Sequence, residues 1–243
     1  GELPESRRRQ LIRDVYRHTL LLIFECARLP RLDRARILHS VQCDPRDLSR
    51  LEDLLTSSRG AVLATGHYGN WEWGGTWLAA LMGRPVGVIY KPMHNPLTDR
   101  MLRRLRKRLG MRPFSTREGT PRALIGFLRA GGVVGILSDQ DASGQGEFIP
   151  FFGLQASTAT GMATLALRMD LPLAILILQR TAPCRFRLRV TFPEKPEGPP
   201  QEAARALMRA YHEALETMIR EAPEQYFWWH RRWKTQPNLP VGR

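Results

Sequence analysis

The chain is organised around one segment, Ala61-Val-Leu-Ala-Thr-Gly-His-Tyr-Gly-Asn-Trp-Glu-Trp-Gly-Gly75. Its first five residues form a short apolar run, which predicts a buried strand. Gly66 and Gly69 interrupt this run, and Asn70 is a favourable N-cap for a helix that begins at Trp71. The segment therefore predicts a strand, a tight turn and a helix in succession.

His67 lies in this turn and Glu72 in the first turn of the helix. On one continuous helix, residues five apart point about 140° away from each other, so their side chains would not meet. A turn lets the chain fold the His67 imidazole back onto the Glu72 carboxylate, whose ionised form the helix N-terminus favours. A carboxylate that holds one ring N–H fixes the tautomer and leaves the other nitrogen as a base. We therefore predict a contact between His67 and Glu72.

The chemistry predicted for this pair differs from that of a hydrolytic triad. No serine or cysteine lies beside His67 in the segment, and a base without its own nucleophile suggests direct attack by a substrate hydroxyl. The alternative is a surface ion pair or a hydrogen-bonded loop histidine, which is the more common role of an isolated His and Glu. The glycine-rich turn favours the functional interpretation, because α/β proteins place their sites in turns between strands and helices.

The segment His67-Tyr-Gly-Asn-Trp-Glu72 resembles the His-x-x-x-x-Glu signature of the lipid A late acyltransferase family, the lauroyl and myristoyl acyltransferases. The wider glycerolipid acyltransferases carry His-x-x-x-x-Asp. Four further blocks match the family in the same order: Tyr90-Lys-Pro-Met-His-Asn-Pro96, Asp139-Gln-Asp141, Phe148-Ile-Pro-Phe-Phe-Gly153 and Pro223-Glu-Gln-Tyr-Phe-Trp-Trp-His-Arg-Arg-Trp-Lys-Thr235. The resemblance covers nearly the whole chain and is strongest between residues 60 and 237.

The resemblance implies an acyltransferase that moves a fatty acyl chain from an acyl-carrier-protein thioester to a hydroxyl of a lipid A precursor. In that scheme His67 takes the hydroxyl proton as the oxygen attacks the thioester carbonyl, and later returns it to the leaving thiolate. Glu72 orients His67 and stabilises the imidazolium, as the acid does in a serine-protease triad. This chemistry requires no cofactor and no metal.

The resemblance also implies residues that bind substrate or support the transition state. An arginine just ahead of a glycine is important to activity in the family; by position it is Arg106 here, with Arg108 as the second candidate. The oxyanion needs hydrogen-bond donors, for which Arg106 and backbone N–H groups near Gly69 are candidates. Asn70 is a further candidate in this group.

Polar residues follow a second apolar run in the chain. Residues 133 to 137 predict a buried strand, and Ser138-Asp139-Gln140-Asp141 comes at its carboxyl end, where open α/β sheets bind ligands. The resemblance implies that Asp139 and Gln140 organise the active site by holding an arginine. The two acids have no supporting cluster of His or Glu, so a metal site is not predicted.

The composition indicates an anionic partner. The 243 residues, enough for one domain with a sizeable core, contain 37 Lys and Arg against 23 Asp and Glu, a net charge of +14. Nucleic acid, an anionic membrane, a phosphorylated substrate and an acidic protein all fit that charge. The resemblance selects acyl carrier protein or acyl-CoA as donor, an anionic lipid acceptor and a membrane surface, and no nucleic acid. Three scattered cysteines fit a reducing compartment.

The N-terminal part, residues 1–55, shows no signal peptide and no membrane span, because its longest apolar run, Leu20 to Phe24, is too short. The family begins with a membrane-spanning helix, so we expect this chain to lack that anchor. Residues 6 to 27 predict a surface helix, with apolar positions such as Val15 on the core and arginines such as Arg13 on another side. Alternatively, its cationic face rests on lipid headgroups.

Four other segments carry local expectations. Pro96 to Leu109 predicts a helix with the densest positive charge in the chain, which is either a solvated face or a phosphate-binding one. Arg117 and Arg122 flank the start of the next predicted helix and are candidates for an anion site there. Phe148 to Gly153 predicts an apolar loop. Strict alternation over Arg185 to Phe192 predicts a half-exposed strand, which we expect at a sheet edge.

Together these patterns predict one α/β domain with a mostly parallel central sheet flanked by helices, the fold that the resemblance implies for glycerolipid acyltransferases. Residues 60–237 form its catalytic core, with His67 and Asp139 near the carboxyl ends of strands. The predicted location is the cytoplasmic face of the bacterial inner membrane. One alternative is the same O-acyl transfer to a lysophospholipid, glycolipid or aminolipid. A more distant one is a basic module that binds membrane or nucleic acid.

Overall fold

The structure is a computed structural model that describes residues 4–56, 59–116 and 120–237. The strands in chain order are β1 Val41–Cys43, β2 Ala61–Thr65, β3 Val86–Tyr90, β4 Met111–Ser115, β5 Val133–Leu137, β6 Glu147–Phe151, β7 Leu154–Thr158, β8 Leu173–Ala182 and β9 Arg185–Thr191. The α-helices are α1 Glu5–Arg28, α2 Arg34–His39, α3 Pro45–Thr56, α4 Trp71–Met82, α5 Pro96–Arg108, α6 Thr120–Arg129, α7 Gly161–Arg168 and α8 Pro200–Glu221.

Within the described residues, β2 lies at the centre of a seven-stranded sheet with the order β1-β9-β8-β2-β5-β3-β4. Its strand pairs are parallel except for β8 and β9, which run antiparallel. β6 and β7 form a separate antiparallel hairpin. The prediction of an α/β domain with a mostly parallel central sheet flanked by helices is confirmed.

Both faces of the sheet are covered, because successive side chains of β2 enter two different apolar cores. Val62 and Ala64 pack with α7, α8 and the β6–β7 hairpin, whereas Ala61 and Leu63 pack with α3 and α4. A parallel strand that is buried on both faces needs a continuous apolar run, which is the pattern that identified β2 in the sequence.

The register between β2 and β5 positions the candidate site. Thr65 pairs with Leu137, so the two strands end at the same level. Beyond the end of each strand the backbone continues for two residues, to His67 after β2 and to Asp139 after β5. These two residues therefore lie side by side at the carboxyl edge of the sheet, where parallel sheets bind ligands.

Two local predictions are wrong. The strand β9 is not at the edge, because β1 pairs with its outer side. The strand β1 has only three residues, which is too short to show a period of two, so the sequence pattern did not predict it. The segment Phe148 to Gly153 is not a loop: it contains four of the five residues of β6 and the turn of the β6–β7 hairpin, at Phe152 and Gly153, both with positive φ.

The helix α1 reverses the usual amphipathic pattern. Val15 packs on the core as predicted, but the same buried face also carries His18 and Glu25. The opposite face exposes five large apolar side chains, which lie within about 120° of the helix circumference. They are Ile12, Tyr16, Leu20, Ile23 and Phe24. In the part of the chain that the structure describes, no helix is long and apolar enough to span a bilayer.

Candidate active site

The structure brings His67 and Asp139 together through two hydrogen bonds. The ring Nδ1 of His67 lies 2.8 Å from Asp139 Oδ1, and the main-chain N–H of His67 donates to Oδ2 at 2.8 Å. The Asp139 side chain is 1% exposed and that of His67 is 20% exposed. Because an ionised carboxylate can only accept, Nδ1 carries the ring proton and Nε2 is left as a base.

The environment of Asp139 keeps its carboxylate ionised. Complete burial would raise the pKa of this group, because it removes water from the charged form. The charge of His67 and the hydrogen bonds from its ring and main chain outweigh burial, and the pKa of Asp139 falls below its ordinary value. Asp139 can therefore stabilise a positive charge on the imidazole.

The predicted contact between His67 and Glu72 is wrong, because Glu72 binds Arg106 instead. The Nε of Arg106 lies 3.1 Å from each carboxylate oxygen of Glu72, and Nη2 makes a further close contact with Oε1. The Tyr90 ring lies near the guanidinium, 5.8 Å from its central carbon. Burial alone would lower the pKa of Arg106, but the hydrogen bonds that it donates to Glu72 raise this pKa above its ordinary value.

The two carboxylates have thus exchanged the partners that the sequence analysis assigned to them. Asp139 was expected to hold an arginine and holds the histidine, while Glu72 was expected to hold the histidine and holds Arg106. The reason is the β2–β5 register, which places Asp139 beside both the ring and the main chain of His67. Glu72 lies in the first turn of α4 and contacts α5, the helix that carries Arg106.

The turn that carries His67 has a demanding geometry. Gly69 has φ +59°, and a Cβ on it would lie 1.8 Å from the carbonyl oxygen of Leu178 on β8. Asn70 caps α4 as predicted, since its Oδ1 accepts from the main-chain N–H of Trp73 at 3.0 Å. Asn70 is 0% exposed and its Nδ2 donates to Glu25, so both ends of its amide form hydrogen bonds within the protein.

The remaining predicted residues lie apart from these two pairs. Gln140 follows Asp139 but is exposed, and its side chain forms no hydrogen bond with the described residues. Arg108 is exposed at the end of α5, so the structure brings Arg106 rather than Arg108 to Glu72. Arg122 is exposed, and Arg117 lies outside the described residues.

The C-terminal aromatic segment forms one wall of the site. The main-chain N–H of Phe227 donates to the carbonyl oxygen of His67 at 2.9 Å, and the Tyr226 hydroxyl donates to the carbonyl oxygen of Asp139 at 3.2 Å. The rings of Phe227 and Trp71 lie 6.0 and 5.0 Å from the His67 ring. The aromatic residues of this segment are evident in the sequence, but nothing in their pattern predicts the contact with His67.

A second histidine, His230, closes the same wall. Its Nε2 accepts the main-chain N–H of Asp141 at 2.7 Å, so this nitrogen is unprotonated. Burial lowers the pKa of His230, which favours the neutral form of the ring. Next to it, Asp141 accepts from the hydroxyl and main-chain N–H of Thr235, which ties the end of the segment to the strand end after β5.

A histidine held by a buried carboxylate is an arrangement for proton transfer, and an arginine–carboxylate pair supplies a positive charge for anion stabilisation. The His67–Asp139 pair lies at the carboxyl ends of parallel strands in an α/β sheet. This placement defines the protein as an α/β catalytic domain. The sequence profile of the bacterial lipid A biosynthesis acyltransferases matches residues 1–235. The chain therefore belongs to the bacterial lipid A biosynthesis acyltransferase family.

Individual relatives differ in the acceptor that their names state. The lipid A biosynthesis palmitoleoyltransferase of Escherichia coli is 30% identical over 80% of this chain and 62% of its own length. The lauroyltransferase of the same organism is 31% identical over 78% and 61%. The phosphatidylinositol mannoside acyltransferase of Mycolicibacterium smegmatis is 30% identical over 59% and 47%. The chain thus spans about 62% of the length of the first of these relatives.

Proposed function

We propose that the protein transfers a fatty acyl group from a thioester donor to a hydroxyl group of a lipid. The observation that carries this proposal is the His67–Asp139 pair, which leaves Nε2 of His67 available as a base. Family membership supports the reaction class. The proposed donor is acyl carrier protein, with acyl-CoA as the alternative, because both are anionic and the chain carries a net charge of +14.

In the proposed mechanism, Nε2 of His67 takes the proton of the lipid hydroxyl while the hydroxyl oxygen attacks the thioester carbonyl carbon. The carbonyl oxygen becomes an oxyanion, and Asp139 stabilises the imidazolium that forms. The C–S bond then breaks, the ester carbonyl re-forms, and the imidazolium returns the proton to the leaving thiolate. The reaction balances with one proton shuttled and no net change at His67.

We propose Arg106 as the group that stabilises the oxyanion or binds an acidic group of a substrate. The other expected donor, the main-chain N–H of Gly69, already donates to the carbonyl oxygen of Gln225 at 3.0 Å. Glu72 would fix the direction of the guanidinium, and its role is then indirect. The alternative is that Glu72 turns to His67 when substrate binds. The variants Asp139→Asn and Glu72→Gln distinguish these two roles of Glu72.

The proposed acceptor is a hydroxyl of a lipid A precursor. Two of the three relatives described above are named for lipid A biosynthesis, which supports this choice. The third is named for phosphatidylinositol mannoside, which supports a glycolipid as the alternative acceptor.

We also propose that the enzyme works at an anionic membrane surface, on the cytoplasmic face of the bacterial inner membrane. The outward face of α1 exposes Leu20 to 67% and both Ile23 and Phe24 to 60%. Arg13 and Arg17 lie exposed on one flank of this face, where they suit lipid phosphates. The ring of Trp229 packs on Tyr16 at 4.9 Å and extends the apolar surface.

Two experiments test the proposal. The first measures transfer of a labelled acyl group from acyl carrier protein, and from acyl-CoA, to a tetra-acylated lipid A precursor and to a lysophospholipid, with wild type and His67→Ala. Transfer that disappears in His67→Ala supports the mechanism, and the productive acceptor identifies the substrate. Wild-type transfer by a folded His67→Ala variant would refute the role of His67.

The second measures sedimentation with vesicles of phosphatidylglycerol and of phosphatidylcholine. We expect binding to the anionic vesicles, weaker binding by Leu20→Ser, and no effect of Leu154→Ser, a matched control on β7 that is 59% exposed. Equal binding by wild type and Leu20→Ser would remove α1 as the contact surface.

A further inference from the structure

A second charged cluster lies inside the protein, next to the turn of the candidate site. Glu25 of α1 and Arg180 of β8 form a bidentate ion pair, with Nε–Oε1 at 2.9 Å and Nη2–Oε2 at 2.6 Å. Glu25 is 0% exposed and Arg180 is 9% exposed. Neither residue takes part in the proposed proton transfer. Burying two charges is costly, so such a pair is weak evidence for a role in stability.

The Glu25 carboxylate reaches the active-site turn directly. Its Oε2 accepts from Asn70 Nδ2 at 2.9 Å, and its Oε1 accepts from the main-chain N–H of Cys184 at 3.0 Å. Burial would raise the pKa of Glu25, but the hydrogen bonds from Arg180, Cys184 and Asn70 hold it below its ordinary value. The carboxylate therefore remains charged and keeps the N-cap of α4 in place.

Arg180 reaches the same turn through Gln225, and its Nη1 contacts Nδ1 of His18 on α1. Its main-chain N–H and carbonyl form hydrogen bonds of 2.7 and 2.9 Å with the side chain of Gln225. The carbonyl oxygen of Gln225 in turn accepts the N–H of Gly69. Arg180 thus holds Gly69 in place through Gln225.

We infer that the Glu25–Arg180 pair positions the turn that presents His67 to the substrate. The pair links the N-terminal helix and the sheet to Gly69 and Asn70, the two residues midway between His67 and Glu72. The inference rests on the proposed function, because it concerns the geometry of the proposed base. A pair that only stabilised the fold would change activity in proportion to the folded fraction. A positioning pair lowers kcat in protein that remains folded.

The test replaces the pair with apolar side chains of similar length, Glu25→Leu together with Arg180→Met. Replacing both partners of a buried ion pair is often neutral for stability, whereas removing one leaves an uncompensated charge. We expect a thermal midpoint within about 8 °C of wild type. We expect kcat to fall about 10²-fold, the scale of a 1 Å misplacement, with KM nearly unchanged.

A second variant removes the hydrogen bond between Asn70 and Glu25. Asn70→Ser keeps a side-chain oxygen as the helix cap but is too short to donate to Glu25. We expect the same loss in kcat at unchanged KM. The matched control is Glu147→Leu with Arg205→Met, a solvent-exposed ion pair between β6 and α8, which should retain the kcat of wild type.

His67→Ala, measured beside these variants, separates the two proposals. If His67→Ala is inactive and the folded double variant keeps wild-type kcat, the inference is overturned and the proposed function stands. If His67→Ala remains active, both fail. If the double variant does not fold, Asn70→Ser decides: wild-type kcat overturns the inference, and a lowered kcat at constant KM supports it.

Discussion

Replacing Asp139 with asparagine should remove catalysis and leave the fold intact, because the two side chains have the same shape. In the structure Oδ2 accepts from the main-chain N–H of His67 and Oδ1 accepts from its ring Nδ1, each at 2.8 Å. An amide offers one acceptor for these two donors. The main-chain N–H can only donate, so it takes the amide oxygen, and the NH₂ group then faces Nδ1 of His67.

That change forces the wrong tautomer on the imidazole. With Nδ1 as acceptor, the ring proton moves to Nε2, the nitrogen that must take the proton of the substrate hydroxyl. The same amide substitution in a serine-protease triad lowers kcat about 10⁴-fold. At about 1.36 kcal/mol per factor of ten, this is ~5.4 kcal/mol of activation free energy.

The assay is single-turnover transfer of a labelled acyl group, with thermal unfolding measured on the same samples. Asp141→Asn is the matched control, because it makes the same change two residues further on, where the carboxylate binds Thr235 instead of His67. Folded Asp139→Asn that keeps more than about a tenth of wild-type kcat would refute the reasoning. A loss of about 10⁴-fold in Glu72→Gln, with near-wild-type kcat in Asp139→Asn, would instead restore Glu72 as the partner of His67.

Three further predictions concern Arg106, Gly69 and the buried histidines. Arg106→Met and Glu72→Gln should each lower kcat by about 10²- to 10³-fold, the range for removal of one oxyanion donor. The double variant should lose no more activity than Arg106→Met, and the control Arg108→Met should match wild type. Additive losses in steady-state assays would contradict the idea that Arg106 and Glu72 act as one unit. Gly69→Ala should prevent folding or activity, because its Cβ would lie 1.8 Å from a backbone oxygen of β8, whereas Gly161→Ala, with nothing within 4 Å, should behave as wild type in expression and thermal unfolding. Burial lowers the pKa of His18 and of His212 from 6.5 to about 4. The unfolded chain therefore binds more protons between these values, and the free energy of unfolding should fall as the pH drops from 6.5 towards 4, by about 3 kcal/mol per histidine. Urea unfolding at several pH values should show a shallower fall for His212→Gln, and an unchanged slope would contradict this assignment.

The sequence by itself determined the local elements of the site. The apolar run before Gly66, the glycine turn and the Asn70 cap predicted β2, the turn and α4, because strand, turn and cap propensities act over a few neighbouring residues. The motif order identified the family, and the polar residues after β5 pointed to the correct edge of the sheet. These signals depend on residues that are close in the chain, so they can be read without knowledge of the strand order.

Only the tertiary structure decided which carboxylate holds His67. Glu72 is five residues away in the chain and Asp139 is 72 away, yet the parallel register of β2 and β5 makes Asp139 the neighbour. Only the tertiary structure likewise decided that Glu25 pairs with Arg180. Glu25 is buried on α1 although the hydropathy pattern of that helix does not predict it, and Arg180 reaches it from β8. Partner choice among charged groups depends on strand order and register, which arise from long-range packing and leave no periodic trace in the sequence.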